Sequence, residues 1–127
     1  MQTIDTLLHA RWVVPVVPHQ AVYEHYSVAI DQGRIIALLP TNDAKNQYHA
    51  TKSLELTEHV LLPGLINAHT HSPMALFRGL ADDLALMDWL ENTIWPAERT
   101  LVNPEFVRDG MKLAMAEMLL SGTTCFN

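Results

Sequence analysis

The feature that most limits what this chain can fold into is the run Leu61-Leu-Pro-Gly-Leu-Ile-Asn-Ala-His69, almost wholly apolar and leading straight into Thr70 and His71. An unbroken apolar stretch of that length, without alternation, is the pattern of a strand covered on both faces. Such strands belong to parallel sheets flanked by helices. Pro63-Gly64 permits a sharp entry into the strand, and Pro73 is placed to begin a helix after it.

The residues on either side differ in character. Before Leu61 the sequence reads as strands. Ile4 to Val17 is rich in Val, Leu and Trp, with Pro15 and Pro18 at its exit. Val28-Ala-Ile, Asp31-Gln-Gly-Arg34 and Ile35 to Leu39 form a hairpin signal, Gly33 supplying the positive φ that a tight turn needs. Thr41 to Ala50 is polar and loop-like, with room for a helical turn, and Ser53 to Val60 is a further short strand.

After the apolar run the helical period takes over. Pro73 to Trp89 suggests two helical pieces broken near Gly79, with Asp82 and Asp83 suited to the start of the second. Trp95-Pro96 is expected to interrupt what precedes it. The clearest helix runs from Pro104 to about Leu120: Asn103 is a good N-cap, Pro104 fits the first position, and Gly122 can end it. Thr123 to Asn127 opens another strand.

Buried strand, helices, then strand is the order of a βαβ unit. A parallel barrel needs about 250 residues, so 127 residues can supply only its beginning. The expected class is therefore α/β, with residues 1–60 as part of a small β domain and residues 61–127 as the first βαβ portion of something larger. The chain reads as an incomplete fragment.

Composition removes several function classes. Apolar residues make up 49% and charged residues 17%, a globular balance. A formal charge of −6 disfavours nucleic acid and anionic membrane as partners. No segment approaches the roughly 20 apolar residues that span a bilayer, and the first residues lack the pattern of a signal peptide. The single cysteine, Cys125, leaves no intrachain disulfide and fits a reducing compartment, the cytoplasm by default. Nothing in the sequence signals an oligomeric state.

His69 and His71 are spaced so that, on a strand, both imidazoles point to one face. Zinc, iron or manganese can accept two such nitrogens. Seven histidines in 127 residues make the spacing a common accident, so ordinary surface or core histidines stay open as an alternative. The context favours a metal, because the pair stands at the C-terminal end of the buried strand, where parallel α/β folds carry their chemistry.

Leu62-Pro-Gly-Leu-Ile-Asn-Ala-His-Thr-His71 resembles the signature of the amidohydrolase superfamily. The resemblance covers the whole chain. It implies a metal-dependent (β/α)8 TIM barrel preceded by a small β-sandwich domain. Met74-Ala-Leu-Phe-Arg-Gly-Leu-Ala-Asp-Asp83, Leu86 to Leu90, Ile94-Trp-Pro-Ala-Glu98 and Ser121 to Asn127 resemble the 5-methylthioadenosine/S-adenosylhomocysteine deaminases. Guanine and cytosine deaminases and chlorotriazine hydrolases share parts of the pattern and remain the alternative.

The resemblance implies one divalent metal ion, Zn2+ by expectation, with His69 and His71 as two of its ligands. It also implies Glu98 as a substrate-binding residue at the ribose hydroxyls of a small-molecule nucleoside. A carboxylate can accept from two vicinal hydroxyls at once; the competing role for Glu98 is a solvated charge beside Arg99. The expected reaction is deamination of adenine nucleoside thioethers. The remaining ligands and the proton-shuttling acid lie outside these 127 residues, so the chain alone is expected to be inactive. A non-catalytic fragment is the reading from another class. Cysteine-ligated nucleobase deaminases are excluded, since their Pro-Cys-x-x-Cys is missing.

Other residues carry blander expectations. Met111, Met115 and Met118 read as core filler. Trp89 and Trp95 could wall a purine pocket, with packing the simpler role. Arg78 could reach substrate or solvent, with solvent the simpler role, and Cys125 is expected to be an inert core thiol. His9, His19, His25, His49 and His59 share no spacing and receive no role.

Overall fold

The computed structural model describes residues 1–127, which divide into two compact units, Met1–Pro63 and Gly64–Asn127. No helix is long and apolar enough to cross a membrane.

The first unit is one mixed sheet with a short helix. Strands β1 (Gln2–Val13), β2 (Tyr23–Asp31), β3 (Arg34–Pro40) and β4 (Tyr48–Leu61) stand in the order β3-β2-β1-β4, and α1 (Thr41–Gln47) joins β3 to β4. β1 pairs antiparallel with β2 (Thr6 opposite Ile30) and parallel with β4 (Leu7 opposite Ser53). The β2–β3 hairpin closes through Gln32 and Gly33, both at positive φ (49° and 72°), the backbone of a tight primed turn. Asp5 accepts from the Gln32 N–H at 2.7 Å and holds that turn against β1.

Two apolar clusters hold this unit. Ile4, Leu7 and Ala29 pack with Ala44, which seats α1, while Ala10, Val13 and Val28 pack with Leu38, Leu56 and Leu61. Between them is a polar network that the spacing of the histidines did not announce. His9 is buried, its Nδ1 lies 2.6 Å from the Ser27 hydroxyl, and that hydroxyl donates to Thr41 at 3.0 Å. Glu55 stands 3.8 Å from Nε2 and is itself paired with Lys45. Burial lowers the His9 pKa below its ordinary value; Glu55 opposes that shift and Lys45 adds to it.

Several boundaries differ from expectation. β1 ends at Val13 rather than Val17, because Pro15 has no N–H to continue the ladder. The loop at Thr41 is two turns of helix, and β4 is 14 residues long because β1 offers it a long partner.

The second unit contains β5 (Leu65–Asn67), a 3-10 turn (Ser72–Phe77), α2 (Leu86–Trp89), a π segment (Leu90–Ile94), α3 (Trp95–Leu101), α4 (Pro104–Leu120) and β6 (Thr123–Phe126). β5 and β6 pair in parallel, Leu65 opposite Thr123 and Asn67 opposite Phe126, which is the expected βαβ connection. The buried nine-residue strand is not found. Leu61 closes β4, Pro63-Gly64 breaks the run, and β5 has three residues with Leu65 56% and Ile66 74% exposed. β6 is the sole strand neighbour of β5, and Leu65 and Ile66 stay largely uncovered. Cys125 is exposed on β6 for the same reason, not buried as expected. Met111 and Met118 are half-buried and Met115 exposed, so they are not core filler in this unit.

Two helix expectations also change. Asp82 and Asp83 lie in a turn, and the helix begins later, at Leu86. Trp95-Pro96 does not interrupt the helix. The preceding turn widens, the Trp95 N–H donating to Leu90 O one residue further back than in an α-helix. The wider turn accommodates the proline ring and its missing donor, so the rod continues into α3. α4 is capped as expected, the Asn103 side chain accepting from the Glu105 and Phe106 N–H groups at 2.9 Å, and Gly122 follows it at φ 83°.

Candidate functional site

His69 and His71 stand just beyond β5, not on it. The Asn67 side chain accepts from the His69 N–H at 3.2 Å and turns the backbone there. His71 precedes the 3-10 turn, and its carbonyl accepts from the Met74 N–H at 2.8 Å. Ser72, buried between them and the helices, and Thr70 approach each other at 3.3 Å. The two imidazoles are exposed and neighbouring, with centroids 5.3 Å apart and planes tilted by 57°.

The backbone after the pair is fixed by α4. Gly110 faces the Pro73 backbone so closely that a Cβ there would overlap it. Phe77 packs on Phe106 with ring centroids 4.8 Å apart, and Arg78 forms a two-pronged pair with Glu117 at 2.8 and 2.6 Å. That pair keeps the Glu117 carboxyl below the ordinary carboxylate range through its hydrogen bonds to Arg78. Arg78 thus reaches solvent, as expected, with its terminal nitrogens paired to Glu117 there.

A cavity of about 490 Å3 opens beside this turn, lined among others by His71, Met74, Asp82, Trp89, Trp95 and Glu98. Its size is that of small-molecule sites. Glu98, on α3, is half-buried in its wall, and no salt bridge joins it to Arg99. Trp89 and Trp95 both face the cavity, and the Trp89 indole N–H donates to Leu80 O at 2.9 Å. The structure therefore brings His71 and Glu98 to one cavity, while His69 adjoins it only through His71.

The sequence did not single out Met74, Phe77 or Asp82 as cavity walls. Their place depends on how α4 holds the turn, a long-range packing effect with no local signature. No group of three or more His, Cys, Asp or Glu side chains that could hold a metal forms within the chain. The pair does fit part of a metal's ligand set: two neighbouring exposed imidazoles, with no side chain hydrogen-bonded to either ring.

Residues 60–127 match the amidohydrolase family. The chain is 52% identical over 123 residues to a 5-methylthioadenosine/S-adenosylhomocysteine deaminase of Saccharophagus degradans, covering 97% of the chain and 28% of that protein. It is 50% identical over 124 residues to the protein of the same name in Teredinibacter turnerae, covering 98% and 28%. The crystal structure of an adenosine deaminase from Xanthomonas campestris with bound zinc superposes with a TM-score of 0.96 at 50% identity, over 99% of this chain and 29% of that one. The chain thus spans a little over a quarter of the length of the proteins it matches.

Proposed function

The chain belongs to the amidohydrolase family, and on that premise we propose that its full-length protein is a metal-dependent aminohydrolase acting on adenine nucleoside thioethers. The substrates are 5'-methylthioadenosine and S-adenosylhomocysteine, each converted to its inosyl product with release of ammonia. The observation that carries this reading is the cavity shared by His71 and Glu98. It sets a metal-ligand type and a hydroxyl-binding type in one lining, together with two indoles. The deaminase names of the relatives at 52% and 50% identity support the substrate class.

His69 and His71 would hold one divalent ion, and the zinc bound by the Xanthomonas campestris neighbour favours Zn2+. When bound, such an ion supplies Lewis acidity and a nucleophile at neutral pH. Two imidazoles alone bind weakly, so further ligands and the proton-transferring acid come from outside residues 1–127. Within this chain the work is binding and orientation. Glu98 accepts from the vicinal ribose hydroxyls, and Trp89 and Trp95 offer apolar walls to the base and its thioether arm. The single cysteine supports a cytoplasmic setting.

The test is ammonia release by the complete zinc-loaded protein with S-adenosylhomocysteine, methylthioadenosine, adenosine, guanine and cytosine. Turnover of the thioether nucleosides is the expected result. Turnover of free bases alone would remove the ribose reading of Glu98, and no turnover of any of them would overturn the proposal.

A further inference from the structure

The cavity's charges do not cancel. Three charged side chains line it, Arg78, Asp82 and Glu98. Both terminal nitrogens of Arg78 are held by the Glu117 carboxylate, so its charge is already matched. Glu98 and Asp82 are left as the cavity's unmatched carboxylates, and Asp82 forms no ion pair within the chain.

Asp82 is also placed with some care. Gly79 and Ala81 both adopt positive φ, 80° and 57°. For a residue with a Cβ such as Ala81 that conformation is strained. Leu80, between them, is tied at both ends: its N–H donates to Phe77 O at 3.1 Å and its carbonyl accepts from the Trp89 indole at 2.9 Å. The turn thus brings Asp82 to the rim that Trp89 also lines. Met74, Phe77 and Trp95 supply apolar surface along the same cavity.

A partly apolar cavity with an unmatched carboxylate at its rim suits a thioether arm that ends in an amino acid, taking its ammonium and leaving its α-carboxylate to face away from Asp82. We propose that Asp82 is a specificity-determining residue that receives the α-ammonium of the homocysteine arm, favouring S-adenosylhomocysteine over methylthioadenosine. The inference rests on the reading of the cavity as a thioether-nucleoside site. Methylthioadenosine ends in a methyl group and gains nothing from the carboxylate. Because Asp82 is exposed, its contribution is screened and modest.

The experiment compares kcat/KM of the complete zinc-loaded protein and its Asp82→Asn variant on both thioether nucleosides, and on S-adenosylhomocysteine acetylated at its α-amine. Asp82→Asn is expected to lower kcat/KM for S-adenosylhomocysteine about three- to fivefold, the scale of one exposed charge pair, and to leave methylthioadenosine unchanged. The acetylated substrate should lose a similar factor with the unaltered protein and nothing more with the variant, the non-additivity of groups that touch. Equal losses on both nucleosides, or no loss on either, would overturn the assignment. Should Asp82→Asn fold poorly, the acetylated substrate with unaltered protein decides alone: unchanged kcat/KM refutes an ammonium contact. Failure of the unaltered protein to turn over either nucleoside would instead refute the underlying function.

Discussion

Gly110 on α4 meets the backbone of Pro73, two residues beyond His71, with the Pro73 Cα only 2.8 Å from where a Cβ on Gly110 would stand. A helix far along the chain thereby sets the path of the turn that carries the histidine pair. Gly110→Ala should be destabilising, although alanine is the better helix former by about 1 kcal/mol. The overlap is with backbone, and overpacking of that kind costs typically about 1–3 kcal/mol. A lower Tm with weaker zinc retention in the complete protein is the expected outcome; a raised Tm would show that the turn yields freely.

His69→Ala and His71→Ala should each remove zinc from the complete protein. The loss of affinity should exceed the roughly 10–100-fold that outer partners of a metal ligand cost. Metal content after dialysis and ammonia release report it together, and retention of both in either variant would refute that residue as a ligand.

Glu98→Gln keeps the size of the side chain and removes its charge. Hydrogen bonds to a charged acceptor contribute about 1.5–3 kcal/mol each, so kcat/KM for ribosides should fall on the order of a hundredfold. A free purine base should be unaffected. Equal effects on both would make Glu98 a structural residue of α3.

His9 gives the first unit an acid limit. Burial holds its folded pKa below the unfolded value near 6.5. Its contribution is therefore complete above that value and is lost as the pH falls through the folded pKa, when the ring must charge between Ser27, Lys45 and Glu55. Tm should fall between pH 7 and pH 5 more steeply in the natural sequence than in His9→Gln. Parallel curves for the two would assign the acid sensitivity elsewhere.

Local chemistry was legible in the sequence. Gly33 marked its hairpin, Asn103 capped its helix and Gly122 ended it, because each acts on backbone within a few residues. The parallel pairing of β5 with β6 followed from element order. Strand extent was not legible, since Leu65 and Ile66 pair only as far as β6 reaches and stay uncovered. The position of His69 and His71 after the first strand was readable, and the resemblance named Glu98 and offered Trp89 as company for them, but the packing that brings these residues to His71 was not. Asp82, Trp89 and Glu98 reach its cavity through the hold of α4 on the preceding turn and through the wide turn before Pro96. The His9 network escaped for the same reason, its partners being on β2, α1 and β4.

The widened turn at Leu90–Ile94 has a geometric meaning of its own. Each residue advances an α-helix by about 100°, so one surplus residue re-phases everything after it. Were the same residues wound as a regular α-helix, the nine steps from Trp89 to Glu98 would set the carboxylate about 180° from the indole, a swing of about 100° from its present place. The turn works as an angular vernier: it lets one rod present an indole and a carboxylate to the same hollow, which a regular repeat at that separation could not do.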